Sequence, residues 1–498
     1  MRSCSSVPRT YSGMGESVEG SRLNRAAGWG RLLPWGRGKA AMGDESPRRF
    51  IPFMDTGLMP FSSRGVPSMS RPNYRHELAS SLCLSWAVAV TEGTVVGVIV
   101  KNAFEGVVSE MMLNFAVATV AAAPSVANII SFAWVRLAHG RPKVPFITSL
   151  QISMLVLVAG LALIPRSSLG LHLLVLSVVV SRVCYAGVQT LRSTVWASNY
   201  PTRERARLTG RLTTVQSEFV AVSGLLIGLC MEWDARSYHA LTPLLALVGM
   251  LGVWRFSKIR VRQHRRLIAL EQQAELLDRP SFNPAAMMRV LTGDRGFAGF
   301  MLCQMLLGMG NLMMSPILTV LLKDRFGMGY EGVLVNHTIP LITLPLFIPM
   351  WARLLDRVHI VWFRAIHSWS FVLAIGVHLV AALEADLWLL YAGAVLKGIA
   401  FAGGALAWSL GHLDFAPAER SSQYMGVHVT LTGVRGLLAP VLGMQIYVMM
   451  EASYPGRGSW VFAVALGFTV LGAVGFGVLG QAMSNRRGGL GKPEGPVG

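Results

Sequence analysis

The sequence predicts an all-α membrane protein with about twelve transmembrane helices in two six-helix bundles. Three observations carry this reading. The first is composition: of 498 residues, 52% are hydrophobic and only 14% charged, whereas a soluble domain carries about a quarter charged residues. The second is clustering. The apolar residues gather into runs of roughly 20, the length a helix needs to cross about 30 Å of hydrocarbon, and no barrel-like alternation of short strands is visible. The third is repetition. Trp134-Val135-Arg136-Leu137 and Trp351-Ala352-Arg353-Leu354 both read Trp-x-Arg-Leu, with an offset of 217 positions (134 to 351). Each closes an apolar run and opens a basic loop. Pro201 to Gly210 and Pro417 to Gly426 repeat at an offset of 216 (201 to 417), with Glu204-Arg205 and Glu419-Arg420 inside them. A unit written twice in one orientation is how two-bundle transporters are built.

The elements follow in order. Residues 1–75 are rich in Arg, Ser, Gly and Pro without an apolar run, which predicts a disordered basic tail. Met42, Met54 and Met69 offer alternative starts. Spans are expected at 78–101, 111–135, 144–164, 171–197, 212–231 and 238–256, forming an N-terminal bundle over 76–256. Residues 257–294 form a basic linker. Within it, Leu267, Leu270 and Ile268 fall at helical spacing behind Arg265-Arg266, which predicts an amphipathic helix lying on the membrane surface. Further spans are expected at 295–322, 331–352, 361–383, 387–411, 422–450 and 459–481, forming a C-terminal bundle over 295–482, with a tail at 483–498. Gly433, Gly436, Pro440 and Gly443 in the eleventh span, and Pro340, Pro345 and Pro349 in the eighth, permit close helix approach and bending.

Charge gives orientation. The formal charge of +19 is not a nucleic-acid footprint here, because the cations alternate with the spans. Loops carrying Arg136, Arg141 and Lys143, then Arg203 to Arg211, then Arg255 to Arg266, then Arg353, Arg357 and Arg364 fall on one side. The opposite loops are short and poor in cations. The positive-inside rule places both termini and the linker in the cytoplasm, in the plasma membrane if the cell is bacterial. Cys83, Cys184, Cys230 and Cys303 lie singly in apolar runs. They read as small buried residues, neither disulfides nor metal ligands. No HExxH, Cys/His cluster or phosphate-binding loop occurs, so neither a cofactor nor a bound metal nor an enzyme activity is expected. The lone His residues His337, His367 and His378 read first as hydrogen-bonded packing groups.

The 6+6 division, the long basic middle loop, the parallel repeat and the loop motifs together resemble the major facilitator superfamily. The family signature between helices 2 and 3, and again between 8 and 9, runs roughly Gly-x-Leu-Ala-Asp-Arg-x-Gly-Arg-Arg. The second copy here, Arg353-Leu354-Leu355-Asp356-Arg357, keeps the Leu-x-Asp-Arg core. The first copy, from Leu137 to Lys143, has His139 where the repeat places Asp356. The resemblance implies a cytoplasmic gate built from Arg136, His139, Arg141, Arg353, Asp356 and Arg357, with Asp356 as the carboxylate beside a helix N-terminus or an Arg. Arg182 with Gly187 resembles the family's fourth-helix motif at a spacing one residue longer. Val222 to Gly228 lacks the Pro of the fifth-helix antiporter signature, which disfavours drug/proton exchange.

A charge at mid-bilayer is costly and points to function. Five such residues are predicted: Glu92, Arg182, Glu218, Lys397 and Arg435. In the family, helices 1, 4, 7 and 10 line the central cavity. The resemblance therefore implies that Glu92, Arg182 and Lys397 face substrate or a coupling ion, with Gln304 and Asn311 beside them and Tyr185 and Trp408 adding surface. Glu218 and Arg435, at repeat-equivalent positions, read as packing or coupling charges. The expected activity is secondary active transport of a small polar solute, with an anion favoured, by alternating access. A proton or another ion is the expected coupling partner. Alternatives are a drug or metabolite exporter and a non-transporting membrane sensor or scaffold of the same fold. The expected surroundings are a lipid bilayer, a small-molecule substrate, no nucleic acid and a monomeric state.

Overall fold

The computed structural model describes residues 62–63, 65–273, 280, 284–327 and 330–487. Residues 1–61 and 64 of the predicted N-terminal tail, the linker after Gln273 up to 283 except 280, and the last residues of the C-terminal tail lie outside these. So does the side chain of His337. The end of the predicted tail, from Arg71, is helical and opens the first span.

Among the described residues, twelve helices are long and apolar enough to cross a membrane. Helices 1 to 6 run Arg71–Phe104, Glu110–Ala138, Lys143–Leu163, Ser168–Asn199, Arg205–Trp233 and Tyr238–Phe256. Helices 7 to 12 run Arg295–Leu322, Thr338–Arg357, Ile360–Glu384, Leu387–Asp414, Ser421–Ser453 and Gly458–Asn485. Between the halves lie a first linker helix, His264–Gln273, and a second, Pro284–Gly293. The second was not expected from the sequence.

Several boundaries differ from expectation in one direction. Helix 5 starts at Arg205, not near 212, and helix 2 continues to Ala138. Thus Trp-x-Arg-Leu and Leu-x-Asp-Arg lie on the last turns of helices, not in loops. Hydropathy finds the stretch that crosses hydrocarbon, but helices extend past it wherever their backbone amides and carbonyls are satisfied. Helix 1 also departs from one continuous helix. It is broken into Arg71–Val90 and Gly93–Phe104, with Glu92 in an extended conformation at the break (φ −69°, ψ 132°). Gly93 lets helix 2 pack closely beside the break, since a Cβ there would sit 3.2 Å from the Ala121 Cα.

Helix pairing displays the duplication. Helix 1 packs on 5 and 6, helix 2 on 4, and helix 3 on 4 and 6. The same pairs recur as 7 with 11 and 12, 8 with 10, and 9 with 10 and 12. The repeated tryptophans make equivalent bonds. Trp134 Nε1 donates to the Val183 carbonyl of helix 4, and Trp351 Nε1 to the Ile399 carbonyl of helix 10, both at 2.9 Å. Each ring fits against a glycine of that helix, Gly187 or Gly403, where a Cβ would lie 2.9 or 3.0 Å from the indole.

The bundles meet chiefly through helix 2 against 11, helix 5 against 8, and helix 11 against 4. Small residues make this possible. A methyl at Gly433 would meet the Ser125 carbonyl oxygen and the Ile129 amide nitrogen of helix 2 at 2.5 and 2.6 Å, and Gly426 faces Phe132 and Val135. Gly443 instead packs on Met313 of helix 7.

The first linker helix is docked on the protein through one face. Its Arg265 and Arg266 are exposed, but Leu267 and Glu271 are buried. Glu271 Oε2 accepts from Lys143 Nζ and from the Gly140 amide, both at 2.7 Å. The anchor is thus an ion pair with both side chains 1% exposed, at the loop between helices 2 and 3.

Candidate functional site

Two cavities lie side by side and share Ala405 and Trp408 of helix 10. The first, about 310 Å³, is walled mainly by helices 1, 4 and 5. The second, about 280 Å³, is walled by helices 7 to 11.

In the first cavity the charges are paired. Arg182 NH1 donates to Glu92 Oε2 at 2.8 Å, with Arg182 nearly buried and the Glu92 side chain 41% exposed. The broken helix 1 delivers Glu92 here, because an extended residue between two helical segments turns its side chain toward helix 4. Arg182 also lies over the Tyr185 ring, 5.4 Å from its centroid, and the Tyr185 hydroxyl is hydrogen-bonded to Gln216. Deeper toward the basic-loop end, Glu77 of helix 1 is 1% exposed and accepts from three groups of helix 4 and its end. These are Arg192 Nε at 2.6 Å, Trp196 Nε1 at 2.5 Å and the Tyr200 hydroxyl at 2.5 Å. Burial first, and then the Glu77 charge, hold the Tyr200 phenol well above its ordinary value.

The second cavity is different: among the described residues no carboxylate lines it. Gln304, Gly308 and Asn311 fall at i, i+4 and i+7, one face of helix 7. Gln304 is the hub. Its side-chain oxygen accepts from Arg364 Nε at 3.1 Å and from Arg364 NH2, while its backbone oxygen accepts from Arg435 NH1 at 2.7 Å. Arg364 NH1 donates to His367 Nδ1 at 3.1 Å, and His367 Nε2 in turn donates to the Ala400 carbonyl at 2.8 Å. Arg435 rests directly on Gly308, where any Cβ would coincide with the guanidinium. Phe371, Phe401 and Trp408 complete the wall.

Among the predicted residues, Glu92, Arg182, Tyr185 and Trp408 line the first cavity, and Gln304, Asn311 and Trp408 the second. Lys397 lines neither; it is buried, with Nζ 5.5 Å from the Phe401 ring centroid. Glu218 and Arg435 do not pair with each other. Arg435 belongs to the second cavity, and Glu218 of helix 5 is only half-buried. Of the six gate residues, Asp356 makes the inter-bundle contact. It accepts from the Ala206 and Arg207 amides of helix 5 at 2.8 and 3.0 Å, while Arg136, Arg141, Arg353 and Arg357 are exposed.

Glu77, Arg192 and Arg364 are not among the predicted site residues. Glu77 lies one residue outside the expected first span, and Arg364 falls among the orienting loop cations. Arg192 lies inside an expected span and is a legible signal. Among the described residues no cluster of His, Cys, Asp and Glu is arranged to hold a metal ion.

Residues 79–334 match the Major Facilitator Superfamily, and the chain belongs to that family of transporters. The fold agrees. The proton:xylose symporter XylE, bound to 6-bromo-6-deoxy-D-glucose, superposes with a TM-score of 0.56 at 15% identity, over 82% of this chain and 95% of that one. The human organic anion transporter MFSD10 (TETRAN) gives 0.54 at 14%, over 82% and 99%. A bacterial homologue of the iron transporter ferroportin, in an outward-facing state, gives 0.53 at 14%, over 82% and 99%. Comparison with curated protein sequences gave no match.

Proposed function

We propose that this protein is a secondary active transporter of a small anionic solute, working by alternating access with its basic loops in the cytoplasm. One observation carries the reading: the two bundles are latched at the basic-loop end by Asp356 while polar cavities lie between their helices. A carboxylate at a helix N-terminus accepts otherwise unpaired amides and meets the positive end of the helix dipole. The bond joins rigid elements from opposite bundles, so it can break as one unit when the bundles rock. The Ser421–Ser193 contact at 3.3 Å and the Thr430 bond to the Ile129 carbonyl at 3.2 Å lie in the same half. The arrangement fits a state closed to the cytoplasm.

Cavity charge supports the anion. Among the described residues Arg182, Arg192, Arg364 and Arg435 line the two cavities, against one lining carboxylate, Glu92. A cationic, partly dry wall raises the local concentration of anions. Glu92 is the coupling group. It is paired with Arg182 yet open to the cavity, so a proton arriving there releases the Arg. The test is reconstitution into liposomes with an imposed inward proton gradient and a panel of labelled organic anions. Uptake above protein-free vesicles is expected for at least one; equal uptake for all would sink the proposal.

A further inference from the structure

The second cavity carries a more specific statement, which rests on the transporter reading above. We infer that Arg435 of helix 11 is the substrate-recognition fork, and that the substrate is an organic monocarboxylate with an apolar or aromatic body.

The donors decide this. Arg364 is largely engaged: its Nε and NH2, one edge of the fork, both serve Gln304, and its NH1 serves His367. Arg435 is not. It gives one bond, from NH1 to the Gln304 carbonyl, and its Nε is buried without a partner. The residue is 8% exposed and lines the cavity. A guanidinium has five donors in a planar fork that matches a carboxylate. A cation buried with unused donors is expensive unless an anion joins it.

The head group is singly charged, because, of the two guanidinium groups that line this cavity among the described residues, Arg435 alone keeps its Nε–NH2 edge unengaged. Arg364 adds positive potential without competing for the same oxygens. The body follows from the walls: Phe371, Phe401 and Trp408 surround the site. They bind an apolar or aromatic moiety, and their ring faces would not hold a second charged carboxylate. Asn311 Oδ1 is also buried without a partner. It offers a contact to a hydrogen-bond donor on the ligand, seven residues along the same helix face as Gln304.

Gly308 is part of the device. Arg435 can reach Gln304 only because no side chain stands at 308. The N-terminal cavity has no equivalent vacancy, since Arg182 and Arg192 already face Glu92 and Glu77. The C-terminal bundle therefore reads the solute and the N-terminal bundle carries the coupling pair.

The experiment is equilibrium binding to the purified full-length protein. Benzoate is the probe, benzamide its neutral counterpart and phthalate its dianionic one. Benzoate is expected to bind, with benzamide and phthalate each at least about tenfold weaker, since a hydrogen bond to a charged group is worth that factor or more. Arg435→Gln should abolish benzoate binding. Arg435→Lys keeps the buried charge, controls for folding, and should weaken binding by about tenfold, because an ammonium cannot make the fork. Gly308→Ala should weaken it as well. Equal binding of benzoate and benzamide, or full benzoate affinity in correctly folded Arg435→Gln, overturns the inference. Benzoate binding without flux would leave this site standing and fail the transporter reading. Flux of other anions without benzoate binding would do the reverse.

Discussion

The carboxylate of Asp356, in the last turn of helix 8, accepts the backbone amide of Ala206, in the first turn of helix 5, at 2.8 Å. The second oxygen takes the Arg207 amide. One side chain thus caps a helix of the opposite bundle. No backbone rearrangement is needed to open this latch; the capped amides need only find water or another acceptor.

Removing the cap should destabilise the closed state by about 1–2 kcal/mol, the usual worth of a helix N-cap. Asp356→Ala loses both bonds, and Asp356→Asn keeps one neutral acceptor, so Ala should act more strongly. Expression should be intact and transport slower. Thiol-labelling of a cysteine placed at Gly210, which packs on Ile348 across the interface, should rise in Asp356→Ala. Unchanged labelling and unchanged rates would remove Asp356 from the gate.

Glu92→Gln leaves Arg182 without its carboxylate but keeps a hydrogen-bond acceptor. Exchange of solute down its own gradient should survive, while accumulation driven by an inward proton gradient is lost. Wild-type accumulation should grow as the outside is acidified. A variant that still concentrates solute under a proton gradient would exclude Glu92 as the coupling group.

The buried Lys143–Glu271 pair fastens the first linker helix. Glu271→Ala strands a buried ammonium, and breaking one side of such a pair costs about 3–5 kcal/mol. The thermal midpoint of the purified protein should fall. The double change Lys143→Met with Glu271→Leu removes both charges and should recover most of the loss. If the single variant melts like the wild type, the pair does not hold the linker.

Tyr200 should titrate well above pH 10 in the folded protein. Because its folded value is raised over the unfolded one, the stability it contributes is fully present below pH 10 and fades as the pH climbs through the folded value. Tyr200→Phe should be less stable at neutral pH by about 1.5–3 kcal/mol, the worth of a hydrogen bond to a charged group. The gap from wild type should shrink in strong alkali. A gap that does not depend on pH would contradict the Glu77 contact.

Much of the architecture was legible in the sequence because hydrocarbon thickness imposes its length on every span. The duplicated Trp-x-Arg-Leu marked a real equivalence, since Trp134 and Trp351 bond corresponding carbonyls. The site was legible only in part. Glu92 and Arg182 stood out as charges in apolar runs, and they do pair. Lys397 stood out equally and packs on Phe401 outside both cavity walls, because a helical position does not state which face it takes. Glu77 and Arg364 were hidden by their place near span ends. The same composition serves an orienting loop cation and a buried hub, and only packing separates them. Glu218 and Arg435 were matched by the repeat, yet divergence between the halves sent them to different environments.

The most direct measurement is counterflow. Vesicles holding the wild-type protein are loaded with unlabelled benzoate and diluted into a trace of labelled benzoate, without any ion gradient. A transient accumulation of label is expected in wild type and none in Arg435→Gln. Saturable benzoate binding by the same preparation with no counterflow would show a receptor of this fold, not a transporter, and would contradict the transporter reading.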